Sequence, residues 1–312
     1  MSTKSLVRQD GAVTTEPAGF RAGFACFVGR PNAGKSTLTN ALVGIKVAIT
    51  SSRPQTTRHA VRGIVHRPDS QLVLVDTPGL HRPRTLLGER LNDVVRATLS
   101  EVDVIAMCVP ANEKVGPGDR FIARELAGLR TPKIAVLTKT DLATPQQITA
   151  QLVSLGKLME WADIIPVSAV SAYQVDLLAD LLAARLPESR ALYLDGELTD
   201  EPEQVMVAEL IREAALEGVR EELPHSLAVT VEEMGLREGR DDFIDIHATV
   251  HVERPSQKGI VLGHQGERMK AVGIRARAAI EALLGMRVYL DLHVSVTRDW
   301  QRDPKQLQRL GF

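Results

Sequence analysis

The sequence predicts an α/β fold in which a mostly parallel sheet carries helices on both faces, followed by a smaller α+β domain. Three observations support this prediction. Strand-like apolar runs alternate with helical patterns over the first part of the chain, as expected of βαβ units. A glycine-rich stretch, GRPNAGKST, lies between the first apolar run and an amphipathic segment. After a polar segment, the remaining elements follow the order helix, strand, strand, helix, helix, strand.

The first domain is predicted to span residues 21–186, after a loose N-terminal tail of residues 1–20. Apolar runs bounded by turn residues predict its strands, and apolar residues at helical spacing predict its helices. The strands are expected at residues 23–28, 60–67, 71–76, 102–109, 133–138 and 163–168, and the helices at 36–43, 89–99, 119–129, 145–161 and 175–186.

Residues 187–203 are predicted to form a linker, because they are polar, contain two prolines and show no sustained period. The second domain is predicted to span residues 204–312. Its helices are expected at residues 204–222, 267–272 and 275–284, and its strands at 227–234, 243–252 and 288–296.

Composition is that of an ordinary globular protein. The 312 residues are 44% hydrophobic with a formal net charge of −1, and they are enough for two cores. The first twenty residues lack the apolar core of a signal peptide, and no apolar run approaches the length of a membrane span, so a cytoplasmic location is expected. Cys26 and Cys108 lie in apolar runs, which favours buried thiols over a disulfide or a metal site.

The stretch GRPNAGKST has the spacing G-x-x-x-x-G-K-[ST] of a phosphate-binding loop. Its glycines allow backbone N–H groups to surround phosphates, and the helix that follows adds the positive end of its dipole. Lys35 is expected to provide charge to the outer phosphates, and Ser36 a hydroxyl to Mg²⁺. The expected phosphate-binding residues are Gly29, Arg30, Pro31, Asn32, Ala33, Gly34, Lys35, Ser36 and Thr37.

Three further motifs, VDTPGL, TKTD and VSA, end predicted strands at the sheet edge where the glycine-rich loop lies. Asp76 is placed to hold Mg²⁺ through water, and the Gly79 N–H is placed to reach a γ-phosphate. Each motif alone is common in loops, but their order and spacing resemble those of the Ras-like GTPases. The resemblance implies a nucleotide site that also includes Asp76, Thr77, Pro78, Gly79, Leu80, Thr138, Lys139, Asp141, Ser168 and Ala169.

Asp141 is the residue expected to select guanine. Its carboxylate can accept hydrogen bonds from the ring N–H and the exocyclic amine of guanine, whereas adenine would leave the charge unpaired. The expected ligand is therefore GTP or GDP. Thr138 stands where the family has asparagine, and it is expected to lose reach and one donor toward both the base and the glycine loop. Guanine specificity is expected to survive with weaker affinity.

Slow, Mg²⁺-dependent hydrolysis is expected. In the stretch SRPQTTRH, Thr57 is placed to ligate Mg²⁺ through its hydroxyl, with Thr56 as the alternative. Leu80 stands where Ras carries a glutamine that orients water, and leucine cannot do so. The expected metal ligands are Ser36, Thr57 and Asp76, and the expected catalytic residues are Lys35, Thr57, Gly79 and Asn32.

Asn32 offers another source of charge. GTPases with the loop form P-N-x-G-K-S resemble a group in which this asparagine helps to hold K⁺ beside the phosphates, where the ion offsets transition-state charge. In the alternative, Asn32 only caps the loop. Both interpretations remain open at this point.

The second domain contains a Gly263-His264-Gln265-Gly266 turn that resembles the G-x-x-G loop of KH domains, which clamps the backbone of a single strand. A plain tight turn is the alternative. The order of elements resembles the type II KH domain, and the surrounding residues are mostly basic. The expected RNA-binding residues are Lys258, Gly263, His264, Gln265, Gly266, Arg268 and Lys270.

Together, the motifs PNAGKS, PQTTR, DTPGLH and RPSQKGIVLG resemble the Era family of bacterial GTPases over nearly the whole chain. The resemblance implies a monomer that binds near the 3′ end of 16S rRNA, not DNA, and assists assembly of the 30S subunit. It also allows weak contact with the inner face of the cell membrane. The alternatives are a partner GTPase in RNA modification or at a membrane, and an RNA-binding module with a relic nucleotide pocket.

Overall fold

The computed structural model of the chain describes residues 17–51, 53, 56–81, 83, 85–219, 223 and 226–312. The first part contains β1 (Arg21–Gly29), α1 (Lys35–Val43), β2 (Val61–His66), β3 (Ser70–Asp76), α2 (Leu86–Glu101), β4 (Val104–Pro110), α3 (Pro117–Ala127), β5 (Lys133–Thr138), α4 (Pro145–Gly156), β6 (Asp163–Pro166) and α5 (Val175–Ala183). The second contains α6 (Glu203–Leu216), β7 (Ala228–Leu236), β8 (Phe243–Val252), α7 (Pro255–Leu262), α8 (Glu267–Leu284), β9 (Arg287–Val296) and α9 (Pro304–Arg309). Most of the predicted N-terminal tail and part of SRPQTTRH lie outside the described residues.

The first sheet has the strand order β2-β3-β1-β4-β5-β6, in which only the β2–β3 pair is antiparallel. Successive residues of the central strands point to opposite faces of the sheet, and both sets are apolar and buried. Helices therefore cover both faces. Phe27 of β1 packs in the core that contains Leu38 of α1 and Leu178 of α5. Val28 packs in the core that contains Val95 of α2 and Ile122 of α3. The predicted mostly parallel sheet is confirmed, and its carboxyl edge carries the glycine-rich loop.

The second sheet has the order β7-β8-β9, with β9 parallel to β8. The predicted order of helices and strands is confirmed, but two of the predicted helices are wrong. Residues 267–284 form the single helix α8, which continues through Gly273 because Val272, Ala276 and Ile280 are buried in one core. The other helix of the pair is α7, which precedes the glycine turn. The first helix ends at Leu216, and part of its predicted extension lies outside the described residues.

The predicted linker lies along the sheet edge. Its backbone at Leu192 and Tyr193 is bonded to the Gln71 side-chain amide, and the Leu198 carbonyl accepts from the Ile64 N–H of edge strand β2. The Leu198 carbonyl oxygen therefore pairs an N–H group that edge strand β2 would otherwise expose, and Gln71 of β3 pairs backbone groups of the linker. This arrangement holds the start of α6 close to the first sheet.

The two parts of the chain also meet through the C-terminal segment. Leu87 and Leu91 of α2 share a buried cluster with Trp300 and with Leu307 of α9. Helix α9 was not predicted, because its few apolar residues show no period that distinguishes it from a loop. The burial of Leu307 against α2 stabilises it.

Both cysteines are buried and free, and burial raises the pKa of the Cys26 and Cys108 thiols. None of the helices in the described part of the chain has the length and apolar character needed to span a bilayer.

Candidate nucleotide and RNA sites

The glycine-rich loop joins β1 to α1 and depends on glycine at close approaches. A Cβ atom on Gly29 would lie 2.6 Å from the Cys108 carbonyl oxygen, and one on Gly79 would lie 2.6 Å from the Pro31 nitrogen. Gly34, immediately before α1, has the left-handed φ of 89°. The loop therefore presents backbone rather than side chains to the space in front of it, as phosphate binding requires.

Lys35 is buried at the mouth of this loop. Its Nζ donates to the Gly29 carbonyl oxygen at 3.4 Å and to the Arg30 carbonyl oxygen at 3.2 Å. Burial lowers the pKa of Lys35, while the nearby Asp76 carboxylate acts in the opposite direction. The ammonium group thus lies next to the loop backbone, where it can meet an anionic ligand.

Ser36, Thr57 and Asp76 come from three separate segments and meet at one point. The Ser36 hydroxyl donates to Asp76 Oδ2 at 2.6 Å and lies 2.9 Å from the Thr57 hydroxyl. The Thr57 hydroxyl also donates to Asp76 Oδ2 at 3.1 Å. Burial raises the pKa of Asp76, whereas Lys35 lowers it. Two hydroxyls and a carboxylate form the all-oxygen donor set that suits Mg²⁺. Thr56 instead donates its hydroxyl to the Arg53 carbonyl oxygen.

The residues around Gly79 are less accessible than the motif alone indicated. The Thr77 hydroxyl donates to the Phe27 carbonyl oxygen at 2.7 Å, and Pro78 is buried. The Leu80 side chain is 2% exposed and packs in the core with Val95, so it points away from the space in front of the glycine-rich loop. Thr77 and Leu80 can therefore serve a nucleotide only through their backbone, whereas Gly79 borders that space.

A small pocket of about 140 Å³ follows the loop and is lined by Thr138, Lys139, Asp141 and Ala169. Lys139 has a left-handed φ of 56°. The Ser168 hydroxyl donates to Asp141 Oδ1 at 2.7 Å and orients the carboxylate. The pocket therefore brings together the residues predicted to select guanine.

The contacts of Thr138 differ in part from the prediction that this residue loses a donor toward the base and the glycine loop. Its buried hydroxyl donates to the Ala33 carbonyl oxygen at 2.6 Å. The predicted loss of a donor toward the glycine loop is therefore wrong, because the short side chain reaches the loop directly. Its only hydroxyl proton is used in this bond.

The Arg30 side chain turns away from the loop's interior. Its Nε donates to Asp119 at 2.7 Å and its Nη2 to Glu113 at 3.0 Å. Asp119 is fully buried and also accepts from the Gly116 N–H, next to the start of α3. The Arg30 side chain thus links the loop to the start of α3, and only the backbone of Arg30 is left to bind phosphates. Sequence reasoning missed Asp119 and Glu113, for which no motif gave a signal.

A larger cavity of about 770 Å³ extends in front of the loop and contains contributions from the second domain. Asn32 lines it, with a left-handed φ of 62°. The end of α6 lines the opposite side through Glu213, Leu216, Glu217 and Gly218. Sequence reasoning missed these residues, because they are remote in sequence from every nucleotide motif.

Helix α6 is bonded to the segment that carries Thr57. Glu213 accepts from the Thr50 N–H at 2.9 Å and forms an ion pair with Lys46. Arg212, 1% exposed, donates to the Thr56 carbonyl oxygen and pairs with Glu209. The predicted Mg²⁺ ligand thus follows directly after a residue held by the second domain.

The G-x-x-G turn joins α7 to α8. Gly263 and Gly266 have φ values of 73° and 81°, and Gln265 has 50°. A Cβ atom on Gly263 would lie 2.6 Å from Arg268 Cβ, so glycine is required there. His264, Gln265 and Lys270 are exposed, and Lys258 is half-buried.

Arg268 contacts the end of α6 rather than the space in front of the turn. Its guanidinium donates to the carbonyl oxygens of Ala215 at 3.3 Å, Glu217 at 2.8 Å and Gly218 at 3.4 Å. Arg275 donates to the Ala214 carbonyl oxygen at 3.1 Å. Two cations at a helix C-terminus satisfy carbonyl groups that lack intrahelical partners. The predicted RNA-binding role of Arg268 therefore competes with a structural role.

Comparison with known proteins identifies the families that the two parts of the chain match. Residues 24–139 match the family model described as a 50S ribosome-binding GTPase, and residues 222–301 match that of the KH domain. The GTPase Era of Streptomyces coelicolor is 68% identical, with both chains covered completely. The GTPase Era of Mycobacterium avium is 63% identical over 94% of this chain and 99% of its own.

Two solved structures share the fold. Era in complex with MgGDPNP and nucleotides 1506–1542 of 16S ribosomal RNA has a TM-score of 0.90 and 34% identity, over 94% of this chain and 99% of its own. A variant of Aquifex aeolicus Era bound to GDP·AlF4⁻ gives the same values. The Ras-like domain followed by a KH domain, predicted from the motifs, is thereby confirmed. This chain belongs to the Era family of GTPases.

Proposed function

We propose that this chain hydrolyses GTP with Mg²⁺ and uses the bound nucleotide to control its binding to the 3′-end region of 16S rRNA during assembly of the 30S subunit. One observation carries the proposal: the end of α6, in the KH-containing part, lines the cavity in which Ser36 and Thr57 lie. Support comes from the solved Era complex that contains both MgGDPNP and a segment of 16S rRNA.

The nucleotide would bind along the backbone of residues 29–37, with Lys35 beside its outer phosphates. Ser36, Thr57 and Asp76 would hold Mg²⁺, which neutralises phosphate charge. Gly79 lines the cavity, and its N–H would bond to a γ-phosphate oxygen. Because the Leu80 side chain is buried in the core, it cannot orient a water molecule. Slow hydrolysis follows unless another group supplies charge.

A monovalent cation beside Asn32 would supply that charge. The potassium hypothesis predicts faster GTP hydrolysis in K⁺ than in Na⁺ at matched ionic strength, because a weakly hydrated ion in the cavity would offset transition-state charge. Steady-state phosphate release by wild type and Asn32→Ala in both salts is the measurement. The difference should vanish in the variant, and equal wild-type rates in the two salts would contradict the hypothesis.

Guanine selection by Asp141 gives a second prediction. Asp141→Asn should shift preference from GTP toward XTP, because the acceptor carboxylate becomes an amide that can donate to the xanthine 2-oxo group. One exchanged hydrogen bond to a charged group predicts a relative change of about tenfold or more. Competition binding of the two nucleotides measures it, with Asp176→Asn as a surface control. An unchanged ratio of affinities would show that Asp141 does not contact the base.

The route from nucleotide to RNA would run through α6. Glu213 and Glu217 line the nucleotide cavity, so their carboxylates oppose added phosphate charge and favour a displacement of the α6 end when GTP binds. Arg268 donates to the carbonyl oxygens at the end of α6. Its own Cβ packs against Gly263, where an added Cβ atom would lie 2.6 Å away. A displacement of α6 would therefore move Arg268 and, with it, the backbone of the G-x-x-G turn.

A single variant tests this route. Arg268→Ala should reduce the difference in RNA affinity between the GTP-analogue and GDP states to within about twofold, because the bonds from α8 to the Glu217 and Gly218 carbonyls beside the cavity are lost while the Arg275 bond to Ala214 remains. Arg277→Ala, an exposed cation on the same helix, is the matched control. RNA binding is measured with a short 3′-end segment of 16S rRNA in both nucleotide states. An equal loss in both states would instead indicate that Arg268 contacts RNA directly.

The RNA backbone would lie along the G-x-x-G turn, Gly263–Gly266, with His264 and Gln265 at its tip and Lys258 and Lys270 at its sides.

We also propose residues 21–186 and 204–312 as the two domains, joined by residues 187–203. A cytoplasmic monomer with weak contact at the inner face of the membrane is proposed from the family alone. No feature of the described residues favours the alternative of a partner GTPase in RNA modification.

A further inference from the structure

Thr138 distinguishes the base pocket of this chain, and its hydrogen bond limits what the pocket can recognise. A hydroxyl has one proton, and that of Thr138 is donated to the Ala33 carbonyl oxygen at 2.6 Å. Thr138 is 4% exposed, so water cannot easily replace the Ala33 carbonyl oxygen as the partner of its hydroxyl. Toward any second group in the pocket, Thr138 can act only as an acceptor.

The part of the purine that faces Thr138 follows from the layout of the pocket. Asp141 lines the pocket and would accept from the N–H and amine groups of the six-membered ring. Thr138 lies against the loop: a Gly34 Cβ atom would be 3.5 Å from its hydroxyl oxygen. The ribose and phosphates are attached to the five-membered ring, so this ring lies nearest the loop. Its exposed polar atom is N7, which only accepts hydrogen bonds.

The Thr138 hydroxyl oxygen and the purine N7 are both acceptors, so no hydrogen bond forms between them. We infer that Thr138 gives this chain no hydrogen bond to N7 and that guanine is selected through the six-membered ring, so that a guanine nucleotide in which a C–H group replaces N7 binds as well as an unaltered one. The inference rests on the proposed function, since it places the guanine in the pocket of Thr138 and Asp141. Thr138 is then a positioning residue, which holds the loop through the Ala33 carbonyl oxygen and makes no hydrogen bond to the five-membered ring.

The test compares GDP with 7-deaza-GDP, in which a C–H group replaces N7. Affinities of wild type for the two should agree within about twofold, because no hydrogen bond to N7 is lost. IDP, which lacks the exocyclic amine, should bind at least about tenfold more weakly, because Asp141 then loses a partner. Agreement between GDP and 7-deaza-GDP together with weak IDP binding supports the inference.

Two variants sharpen the result. Thr138→Val removes the hydroxyl at nearly constant shape and should weaken GDP and 7-deaza-GDP equally, because only the bond to Ala33 is lost. Thr138→Asn adds an amide donor and should create a preference of about fivefold for GDP over 7-deaza-GDP.

The outcomes separate this inference from the proposed function. A preference of fivefold or more for GDP in wild type, lost in Thr138→Val, would overturn the inference while leaving GTP as the ligand. Failure of all three nucleotides to bind would overturn both. Equal binding of GDP and IDP would show that Asp141 does not select the base. The purine would then not be placed as described, and the inference would be wrong.

Discussion

Lys35→Ala is expected to weaken GTP and GDP binding roughly a thousandfold. At an effective dielectric of about 20, a lysine charge about 4 Å from one phosphate charge contributes roughly 4 kcal/mol, which corresponds to about three orders of magnitude in affinity. Lys35 is 6% exposed, so water cannot replace it easily as a partner for the phosphates. Fluorescence titration with a labelled guanine nucleotide measures the loss.

The control variant is Lys157→Ala, because Lys157 is exposed at the end of α4, away from the glycine-rich loop. Its affinity should equal that of wild type. Binding of a short RNA by nucleotide-free Lys35→Ala checks that the second domain is intact. If Lys35→Ala binds GDP within tenfold of wild type, the loop does not hold the phosphates as proposed.

The nucleotide site was largely predictable because its residues lie at the ends of strands. The motifs that contain Lys35, Asp76 and Asp141 each follow an apolar run, and parallel strands bring their carboxyl ends to one edge. The hydrogen bond between Ser36 and Asp76 then follows from the topology of the sheet, because the glycine-rich loop and Asp76 come at the ends of the neighbouring strands β1 and β3. Thr57 lies ahead of β2 rather than at a strand end, and its role was implied by the resemblance to the Ras-like GTPases.

The contacts between the domains were not predictable in the same way. Glu213 and Arg268 have no motif, and their partners depend on how α6 packs against two different surfaces. The basic cluster in the sequence marked Arg268 for RNA, since composition cannot distinguish a cation that meets solvent from one that meets helix carbonyls. Gly273 indicated a helix end for a similar reason: its low helix propensity is overridden by burial on either side.

The Arg268 contacts also change how the RNA site is understood. With its guanidinium on the α6 carbonyls, the cations close to the turn that keep exposed or half-exposed charge are Lys258 and Lys270. The turn itself carries no permanent charge, because its variable residues are His264 and Gln265. RNA affinity should therefore depend strongly on any charge placed at those two positions.

Replacement of both His264 and Gln265 by aspartate should weaken binding of single-stranded RNA at least about tenfold. Each carboxylate about 5 Å from a phosphate costs roughly 3 kcal/mol at an effective dielectric near 20, and salt screening leaves only part of this. Both side chains are exposed, so the substitutions leave the core intact. The measurement is titration of a short RNA from the 3′ end of 16S rRNA, at more than one salt concentration.

The matched control is the double substitution of His293 and Gln308 by aspartate, which changes the same residue types at exposed positions on β9 and α9. His293 lies on the face of the second sheet opposite to α8, since its neighbours Leu292 and Val294 pack in the core. The control should bind RNA with nearly wild-type affinity, and both double variants should bind GDP like wild type. Because counterion release accompanies each phosphate contact, the aspartates at the turn should also make RNA binding less dependent on salt. Undiminished binding by the first variant would show that Gly263–Gly266 is only a turn between two helices, and that the RNA lies elsewhere on this chain.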